Sequence, residues 1–386
     1  MFARWLSIKT GKSALIIGPR RCGKTTLLKN RFPDYNYITL DDLDYLDWAN
    51  KDPKGMVQSL GKFAIIDEIQ RKPALTIAVK YAIDNQDACF MMTGSSSIGL
   101  LDTAADTIAG RINLYSLPAV CFGEDKGAPT HNIFDARLDP LTLNQSQREL
   151  PEAIMYGLFP EILTQATLQE KRELLKNYRD TYFIRDIMQL SNIENIEGLL
   201  TIFHHLARGI GSHLEVSSFA RESGLSFATT KKYLNILQQS QLTFRLYGYQ
   251  YGPAKKYIKT SKTYFSDNSI LNSLNIPLNE GQLLENFVIS ELEKRRKLGF
   301  IQSDQLYYYK SAGGREIDLV FEQNGIVNAI EIKNTKNPSQ RDVRNLYDFS
   351  RQAKRPVQAY LFYNGTQYDV IDNVQLIPVA SLFRGK

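Results

Sequence analysis

A short loop near residue 20 has the residue types and the spacing that bind phosphate groups, because it fits the pattern G-x-x-x-x-G-K-[ST]. Its residues are Gly18, Pro19, Arg20, Arg21, Cys22, Gly23, Lys24, Thr25 and, directly after the pattern, Thr26. Glycines let a backbone wrap a phosphate, and consecutive N–H groups at a helix N-terminus offer it partial positive charge. Lys24 adds a full charge for the β- and γ-phosphates, and Thr25 supplies a hydroxyl for Mg²⁺. The pattern predicts a site for ATP and Mg²⁺; the alternative is a chance match in a glycine-containing turn.

Two adjacent carboxylates follow an apolar run at a distance that suits this loop. Residues 63–66 are Phe-Ala-Ile-Ile, and Asp67 and Glu68 come next. Such a run indicates a buried strand with carboxylates at its C-terminal tip. We therefore predict that Asp67 holds the metal and that Glu68 is the catalytic base that polarises the attacking water. A Glu beside the Asp favours hydrolysis over nucleotide binding alone, and the alternative is a strand that happens to end in two acids.

A third apolar run, residues 89–93, also ends in polar side chains. Thr93, Ser95 and Ser96 are candidates for sensing the γ-phosphate, and the alternative is an ordinary turn. Arg111 follows shortly afterwards. An arginine near such a site can stabilise charge on the transferring phosphoryl group, in cis or from a neighbouring subunit. The alternative for Arg111 is a surface or structural arginine.

Alternating strands and helices must position these residues. Apolar runs predict strands at 13–18, 35–40, 62–67, 89–94 and 112–117. Helical segments fill the gaps, among them 25–30 and 72–84. This alternation predicts an α/β fold with a parallel sheet sandwiched by helices, as in P-loop NTPases. Nucleotide would then bind at the tip of the first strand.

Composition indicates a globular protein with two or three domains in 386 residues. The formal net charge of +6 permits contact with nucleic acid without requiring it. The three cysteines, Cys22, Cys89 and Cys121, have no C-x-x-C spacing, so neither a zinc site nor a disulfide framework is expected. We predict a cytoplasmic protein without a signal peptide, because the first residues contain no long apolar core. No apolar run approaches the length of a transmembrane helix.

A segment rich in Gly, Pro, Asp and Asn, residues 124–140, indicates a domain boundary. We therefore predict an ATPase domain at 1–135, a helical region at 141–280 and an α/β domain at 281–386. The change in character near residue 281 is the start of a new alternation of helix and strands.

The helical region contains a pattern typical of a winged helix-turn-helix, at about 199–250. Two short helices, 216–222 and 227–237, flank a glycine turn, and a strand at 243–249 follows like a wing. If this module binds DNA, the side chains that face the major groove are Ser226, Thr229, Thr230, Lys231 and Lys232. A basic stretch follows, with Lys255, Lys256, Lys259 and Lys262. The alternative is a packing or protein-contact module.

The last region carries a constellation typical of nuclease cores. Asp318 lies in one predicted strand, and Glu331 and Lys333 lie in the next with an E-x-K spacing. Period-two geometry places Glu331 and Lys333 on one strand face. Asp318 and Glu331 are candidate Mg²⁺ ligands, Glu285 is a candidate third carboxylate on a helix, and Lys333 is a candidate for positioning water or stabilising the phosphate. The alternative is a solvent-facing charged strand edge.

Taken together, these segments resemble one family, the prokaryotic AAA-type P-loop ATPases that carry a C-terminal domain of unknown function with a winged helix and a PD-(D/E)xK nuclease-like fold. The matching segments are 18–26, 66–70, 93–96, 109–111, 182–186, 232–234, 264–267, 284–288, 316–318 and 331–333. The resemblance implies ATP binding and hydrolysis at the loop and the carboxylate pair, and a role for the D…E-x-K trio. Cys22 departs from the small apolar residue usual in such loops.

These observations predict an ATP hydrolase whose turnover moves a nucleic-acid-binding or nuclease-like C-terminal region. One alternative is an ATP-gated switch that binds a protein and uses an inactive nuclease-like scaffold. Another is a nucleotide-binding module with negligible turnover. The expected ligands are ATP and Mg²⁺, and no membrane partner is expected. The candidate partners are DNA, another protein, or further copies of the chain, because the resemblance is to ATPases that commonly form rings.

Overall fold

The computed structural model describes residues 2–95, 110–129, 132–134, 137–179, 193–250, 260–311 and 313–383. The chain divides into two compact units. The N-terminal unit comprises Arg4–Ala119 together with Gln239–Gln241. The C-terminal unit contains the other described residues. Each unit has its own sheet.

The N-terminal unit is built on a five-stranded sheet in the order β2-β3-β4-β1-β5, with every neighbouring pair parallel. Its strands are β1 (Ala14–Ile17), β2 (Asn36–Thr39), β3 (Phe63–Asp67), β4 (Cys89–Gly94) and β5 (Asn113–Ser116). Its helices are α1 (Lys24–Arg31), α2 (Leu43–Lys51), α3 (Pro53–Ser59) and α4 (Leu75–Gln86). The predicted α/β class with a parallel sheet is confirmed.

Apolar strands make this sheet the core of the unit. Leu15, Ile66 and Phe90, from three adjacent strands, are buried in one cluster with the inner faces of the helices. Because the strands are parallel, their carboxyl ends meet at one edge, where an open α/β sheet binds ligands. The phosphate loop follows β1, and the carboxylate pair ends β3, so the topology places both at this edge.

The C-terminal unit begins with helices and ends with a second sheet. Its helices are α5 (Pro140–Tyr156), α6 (Pro160–Leu163), α7 (Leu168–Tyr178), α8 (Ile196–Arg208), α9 (Val216–Ser223), α10 (Phe227–Gln239), α11 (Asn268–Ser273), α12 (Glu280–Lys297) and α13 (Gln340–Gln352). Capping boxes begin α7 at Thr167 and α12 at Asn279. None of the described helices combines the length and apolar character that crossing a bilayer needs.

The second sheet has eight strands of mixed direction in the order β12-β13-β11-β10-β9-β8-β6-β7. They are β6 (Thr243–Gly248), β7 (Ser261–Phe265), β8 (Tyr307–Lys310), β9 (Glu316–Gln323), β10 (Ile326–Lys333), β11 (Val357–Tyr363), β12 (Asp369–Ile371) and β13 (Val374–Pro378). The predicted wing strand, β6, pairs with β7 on one side and with β8 on the other. The sheet therefore continues across the boundary expected at residue 281, and the three-part division stays a prediction.

A buried charge cluster fastens α12 to the start of the C-terminal unit. Lys294 Nζ donates to Asp267 Oδ2 at 2.7 Å, to Glu291 Oε1 at 2.9 Å and to Val120 O at 3.1 Å. Arg295 pairs with Glu291, and Glu291 Oε2 accepts from Phe122 N at 2.9 Å. Burial opposes ionisation of Glu291, but Lys294 and Arg295 outweigh it and lower the pKa of this carboxyl. The cluster therefore stays ionised inside the unit.

Replacing Lys294 by methionine should destabilise the C-terminal unit strongly. The change leaves the carboxylates of Asp267 and Glu291 with less compensation in a buried site, and removal of one member of a buried pair costs about 3–5 kcal/mol. Urea unfolding measures this loss, with Lys176→Met, at an exposed lysine of α7, as the matched control. An unfolding free energy equal to that of the wild type would contradict the role given to Lys294.

Candidate functional site

The phosphate loop is a tight backbone turn between β1 and α1. Gly23 begins α1 with φ +93°, and Arg21 has φ +59°, so both residues use the left-handed region. Gly18 is buried so closely that a Cβ there would lie 2.1 Å from Leu117 O. Only glycine therefore fits at position 18 without a shift of the backbone.

Lys24 folds back over this loop. Its Nζ atom donates to Gly18 O at 2.9 Å and to Pro19 O at 3.0 Å, and the residue is only 5% exposed. A buried ammonium needs acceptors, and here the loop's own carbonyls supply them. Phosphate oxygens are stronger acceptors of the same kind, so the site holds its cation where an anion would bind.

Asp67, at the end of β3, receives hydrogen bonds from three neighbouring elements. Thr25 Oγ1 lies 3.0 Å from each carboxylate oxygen, and Tyr37 OH donates to Oδ2 at 3.0 Å. Thr93 Oγ1 donates to Oδ1. Burial raises the pKa of Tyr37 to about 12, and Asp67 adds to the shift, so the phenol stays a donor. The structure thus brings Thr25, Asp67 and Thr93 together.

Glu68 stands beside Asp67 with its backbone in the left-handed region, at φ +57°. Its Oε2 accepts from Gln70 Nε2 and, at 3.2 Å, from Ser95 Oγ. Gln70 also donates to Ser95 Oγ at 2.8 Å, and Glu68 N donates to Thr93 Oγ1 at 3.1 Å. Gln70 and Ser95 therefore hold the predicted catalytic base in a small polar network.

The oxygens of Thr25 and Asp67 fit a magnesium ion. Mg²⁺ takes oxygen ligands at about 2.0–2.1 Å in octahedral geometry, so adjacent ligands lie about 2.9 Å apart. Thr25 Oγ1 and Asp67 Oδ1 are separated by 3.0 Å. The donor set is also right for this metal, since hydroxyl and carboxylate oxygens are its usual ligands.

Arg111 lies at the opposite edge of the sheet from the phosphate loop. Asn113 begins β5 beside Ala14, the first residue of β1, whereas the loop follows Ile17. Strands rise about 3.3 Å per residue, so the length of β1 separates the two positions. Arg111 Nε lies 2.7 Å from Asp84 Oδ1 of α4. The structure does not bring Arg111 to the loop of its own chain, and a role at a neighbouring subunit's site stays a prediction.

The other loop side chains predicted to contact the nucleotide differ in their exposure to solvent. The side chains of Arg21 and Thr26 are exposed, and that of Arg20 is half-buried. Cys22 is buried within the loop. Ser96 lies outside the described residues. The nucleotide contacts predicted for these side chains stay predictions.

The C-terminal carboxylates also come together. β9 and β10 are antiparallel with Leu319 opposite Ile330, which places Asp318 and Glu331 at the next pair of positions. Asp318 Oδ2 accepts from Ile332 N at 2.9 Å, and Lys333 Nζ lies 3.5 Å from Glu331 Oε2.

Glu285, from α12, joins this cluster electrostatically. Its Oε1 accepts from Tyr264 OH at 2.8 Å. Burial, followed by the Asp318 charge, raises the pKa of Glu285 to about 7, and the same two causes raise the pKa of Glu331 to about 7. Burial lowers the pKa of Lys333, but Glu331 and Asp318 outweigh it and raise the pKa overall.

This carboxylate cluster is not a ready metal site. Across the described ranges, no group of three or more His, Cys, Asp or Glu side chains is arranged to hold a metal ion. The side chains of Glu285, Asp318, Glu331 and Lys333 form a partly buried charge cluster, in which Glu331 is buried and the Lys333 side chain is 40% exposed. The role of this cluster stays a prediction.

Glu331→Gln should change how stability depends on pH. A carboxyl whose folded pKa is raised to about 7 binds its proton more tightly in the folded state, so stability falls as pH rises from about 4.5 to 7. Glutamine removes this ionisation and should raise the unfolding free energy by about 1–3 kcal/mol at pH 8, with a smaller gain at pH 5. Urea unfolding at both pH values measures it, and the exposed Glu194→Gln variant should show no such difference. An equal effect of Glu331→Gln at both pH values would contradict the prediction.

The helices expected of the winged module form, but one residue expected at the DNA is buried. Ser226 accepts from Thr229 N at 3.1 Å and so caps α10. Thr230 is fully buried and donates to Ser226 O, so it cannot reach a major groove from this position. Lys231 and Lys232 are exposed. Lys255, Lys256 and Lys259 lie outside the described residues, and Lys262 is buried against Glu316.

Sequence reasoning missed two residues of the candidate nucleotide site. Tyr37 and Gln70 contact Asp67 and Glu68, and neither received a role from the sequence. Gln70 stands two positions after Glu68, and Tyr37 is a polar-tipped residue in the predicted second strand. Once the strand order is known, these sequence positions identify Gln70 and Tyr37 as neighbours of the carboxylate pair.

Family comparisons support an ATPase assignment for the N-terminal unit. Residues 10–125 match the model of a family described as an AAA domain. Residues 147–281 match a domain of unknown function (DUF8612), and residues 280–382 match another (DUF4143). The first match supports an AAA-type ATPase, and the other two descriptions give no function.

Curated relatives span most of the chain. An uncharacterized protein of Methanocaldococcus jannaschii is 28% identical over 330 residues, which are 81% of this chain and 73% of that protein. Uncharacterized proteins of Mycobacterium bovis and Mycobacterium tuberculosis are each 25% identical over 339 residues, 84% of this chain and 71% of theirs.

Solved structures show only distant likeness. The Orc1 protein of Aeropyrum pernix in complex with DNA gives a TM-score of 0.28 at 10% identity, covering 68% of this chain and 86% of that one. A signal transduction ATPase with numerous domains from Pyrococcus horikoshii gives a TM-score of 0.23 at 11% identity, covering 77% and 46%.

Proposed function

We propose that the chain binds ATP with Mg²⁺ in the N-terminal unit and hydrolyses it. The observation that carries the proposal is the meeting of Lys24, Thr25 and Asp67 at the carboxyl edge of the parallel sheet. A cation, a hydroxyl and a carboxylate in this arrangement are what a triphosphate and its metal require. The family match of residues 10–125 supports the same conclusion.

The side chains then have distinct roles. Backbone N–H groups of residues 20–25, which include the N-terminus of α1, bind the phosphates, and Lys24 neutralises the β- and γ-phosphates. Thr25 and Asp67 would hold Mg²⁺, which supplies charge neutralisation at the transferring phosphoryl group. Glu68, once it leaves Gln70 and Ser95, orients and polarises the attacking water. Thr93 keeps Asp67 oriented.

Phosphate release by the purified full chain tests this proposal. We expect turnover with ATP and Mg²⁺ and none when EDTA removes the metal. ATP is the substrate, and adenosine, which has no phosphate to release, gives the background signal of the assay. Phosphate release that is the same with and without Mg²⁺ would contradict the roles given to Thr25 and Asp67.

We propose further that hydrolysis moves a nucleic-acid-binding or nuclease-like C-terminal unit. Two observations support a nucleic-acid-binding or nuclease-like role for this unit. Asp318, Glu331 and Lys333 come together on neighbouring strands in the order that nuclease cores use. Lys231 and Lys232 are exposed on α10, where phosphate contacts would add to affinity.

The alternative is an ATP-gated switch that binds a protein through an inactive scaffold. The burial of Thr230 favours it, because one of the five side chains expected at a groove serves packing. ATP turnover at low salt, with and without single- and double-stranded DNA, separates the two functions, since phosphate contacts are strongest at low salt. Stimulation that Lys231→Ala with Lys232→Ala abolishes supports the nucleic-acid function. Unchanged turnover and no binding of either DNA would favour the switch.

A further inference from the structure

Arg4, which precedes β1, hydrogen-bonds to the phosphate loop and to the backbone that follows β5. Its Nη1 atom donates to Cys22 O at 2.7 Å. Its Nη2 atom donates to Pro118 O at 2.8 Å and to Ala119 O at 3.3 Å. One half-buried guanidinium therefore joins two stretches of backbone that are distant in the sequence.

The bond to Cys22 fixes the orientation of one peptide plane in the loop. In a trans peptide, the carbonyl and the following N–H point in opposite directions. Holding Cys22 O toward Arg4 therefore directs Gly23 N–H away from Arg4. Gly23 lacks a side chain and has φ +93°, so sterics alone hold this plane only weakly. The arginine supplies the constraint that the glycine lacks.

The second arm of the guanidinium holds the stretch that leaves the N-terminal unit. Leu117 N donates to Ile17 O at 2.8 Å at the base of the loop, and Leu117 O closely approaches Gly18. The next residues carry the carbonyls that Arg4 binds. Val120 then belongs to the C-terminal unit, where Lys294 Nζ donates to its carbonyl at 3.1 Å.

We propose that Arg4 is a positioning residue for phosphate binding, which sets the Gly23 N–H for the phosphate and ties the loop to the backbone leaving the N-terminal unit. The inference rests on the proposed ATP site. Arginine suits the task because its planar fork bonds acceptors in two directions at once, whereas lysine offers a single point charge.

Steady-state kinetics of Arg4→Ala and Arg4→Lys test the proposal. The KM for ATP should rise about tenfold in Arg4→Ala, because a charge-assisted hydrogen bond no longer fixes the loop. The kcat at saturating ATP should fall much less, because Arg4 does not touch the reacting atoms. The KM of Arg4→Lys for ATP should also be raised, close to that of Arg4→Ala. Arg31→Ala, at an exposed arginine that ends α1, is the matched control and should match the wild type.

Hydrogen exchange with and without ATP distinguishes a positioning role from a purely structural one, because a structural role would leave the effect of ATP on the exchange rates unchanged. ATP should slow exchange of the amides at 117 and 120–122 in the wild type and in Arg31→Ala. In Arg4→Ala the same amides should exchange at one rate whether or not ATP is present. A general loss of stability would instead speed exchange equally in both conditions.

The outcomes separate this inference from the function it rests on. A wild-type chain that does not bind ATP overturns the proposed ATPase function. A wild-type chain that binds ATP, with an Arg4→Ala variant of equal KM and equal ATP-dependent protection, overturns the role of Arg4 alone. Full rescue by Arg4→Lys also overturns it, because charge without the fork would then suffice. Thermal melting checks folding, and Arg4→Lys carries the test if Arg4→Ala does not fold.

Discussion

Replacing Glu68 by glutamine should leave ATP bound and lower phosphate release by about 10²–10⁴-fold, the usual contribution of a general base. Glutamine keeps the shape of the side chain and its contacts with Gln70 and Ser95. It removes the charge that polarises the attacking water in the proposed mechanism. Because Glu68 does not contact Thr25 or Lys24 in the structure, the affinity for ATP should change little.

Two measurements together check this expectation. Phosphate release gives the rate, and calorimetry with ATP and Mg²⁺ gives the affinity. Asp34→Asn, at an exposed carboxylate of the same unit, should behave as the wild type. If Glu68→Gln released phosphate at the wild-type rate, Glu68 would not be the base, and slow turnover throughout would point to a binding module.

Lys24→Ala should weaken ATP binding by about 10²-fold or more, because each hydrogen bond from a charged group contributes about 1.5–3 kcal/mol. The ammonium is buried and held at Gly18 O and Pro19 O, the two carbonyls at the start of the loop. No other described lysine of the unit makes these two contacts. Removing it deletes the full positive charge that the proposed site offers to the phosphates.

Calorimetry with ATP measures the loss, and Lys12→Ala, at an exposed lysine before β1, is the matched control. Melting curves show whether the loop still supports a folded unit. An affinity for ATP in Lys24→Ala close to that of the wild type would remove Lys24 from the site.

The N-terminal sheet could be predicted from the sequence because its central strands are short apolar runs, and described helices separate β1 from β2, β2 from β3 and β3 from β4. Each predicted strand appears within a residue of its expected bounds, from β1 at Ala14–Ile17 to β5 at Asn113–Ser116. The meeting of Thr25 with Asp67 follows from parallel topology, which aligns the carboxyl ends of β1 and β3. The spacing of the motifs, together with the predicted parallel topology, therefore located the centre of the candidate site.

The surroundings of the site could not be predicted, because they depend on strand order and on side-chain direction. Tyr37 reaches Asp67 only because β2 lies beside β3. Arg111 follows a glycine near the candidate sensor in sequence, yet it precedes β5 and so lies at the amino edge of the sheet.

The C-terminal unit shows the same limit. Thr230 stands between the half-buried Thr229 and the exposed Lys231 in sequence, and the packing of its helix buries it. β6 reads as a wing after a helix pair, and its pairing with β8 is a contact between distant segments that no local pattern encodes. The D…E-x-K trio could be recognised because its members lie on two strands that follow each other directly in the sequence.

Binding of ATP to the purified chain, measured by calorimetry with Mg²⁺ and again with EDTA, decides whether the phosphate loop and the Thr25–Asp67 pair form a nucleotide site. We expect one ATP per chain with Mg²⁺ and a weaker association in EDTA, because Thr25 and Asp67 would hold the Mg²⁺ that accompanies the triphosphate. Absence of any ATP binding in both conditions would contradict the function proposed for this protein.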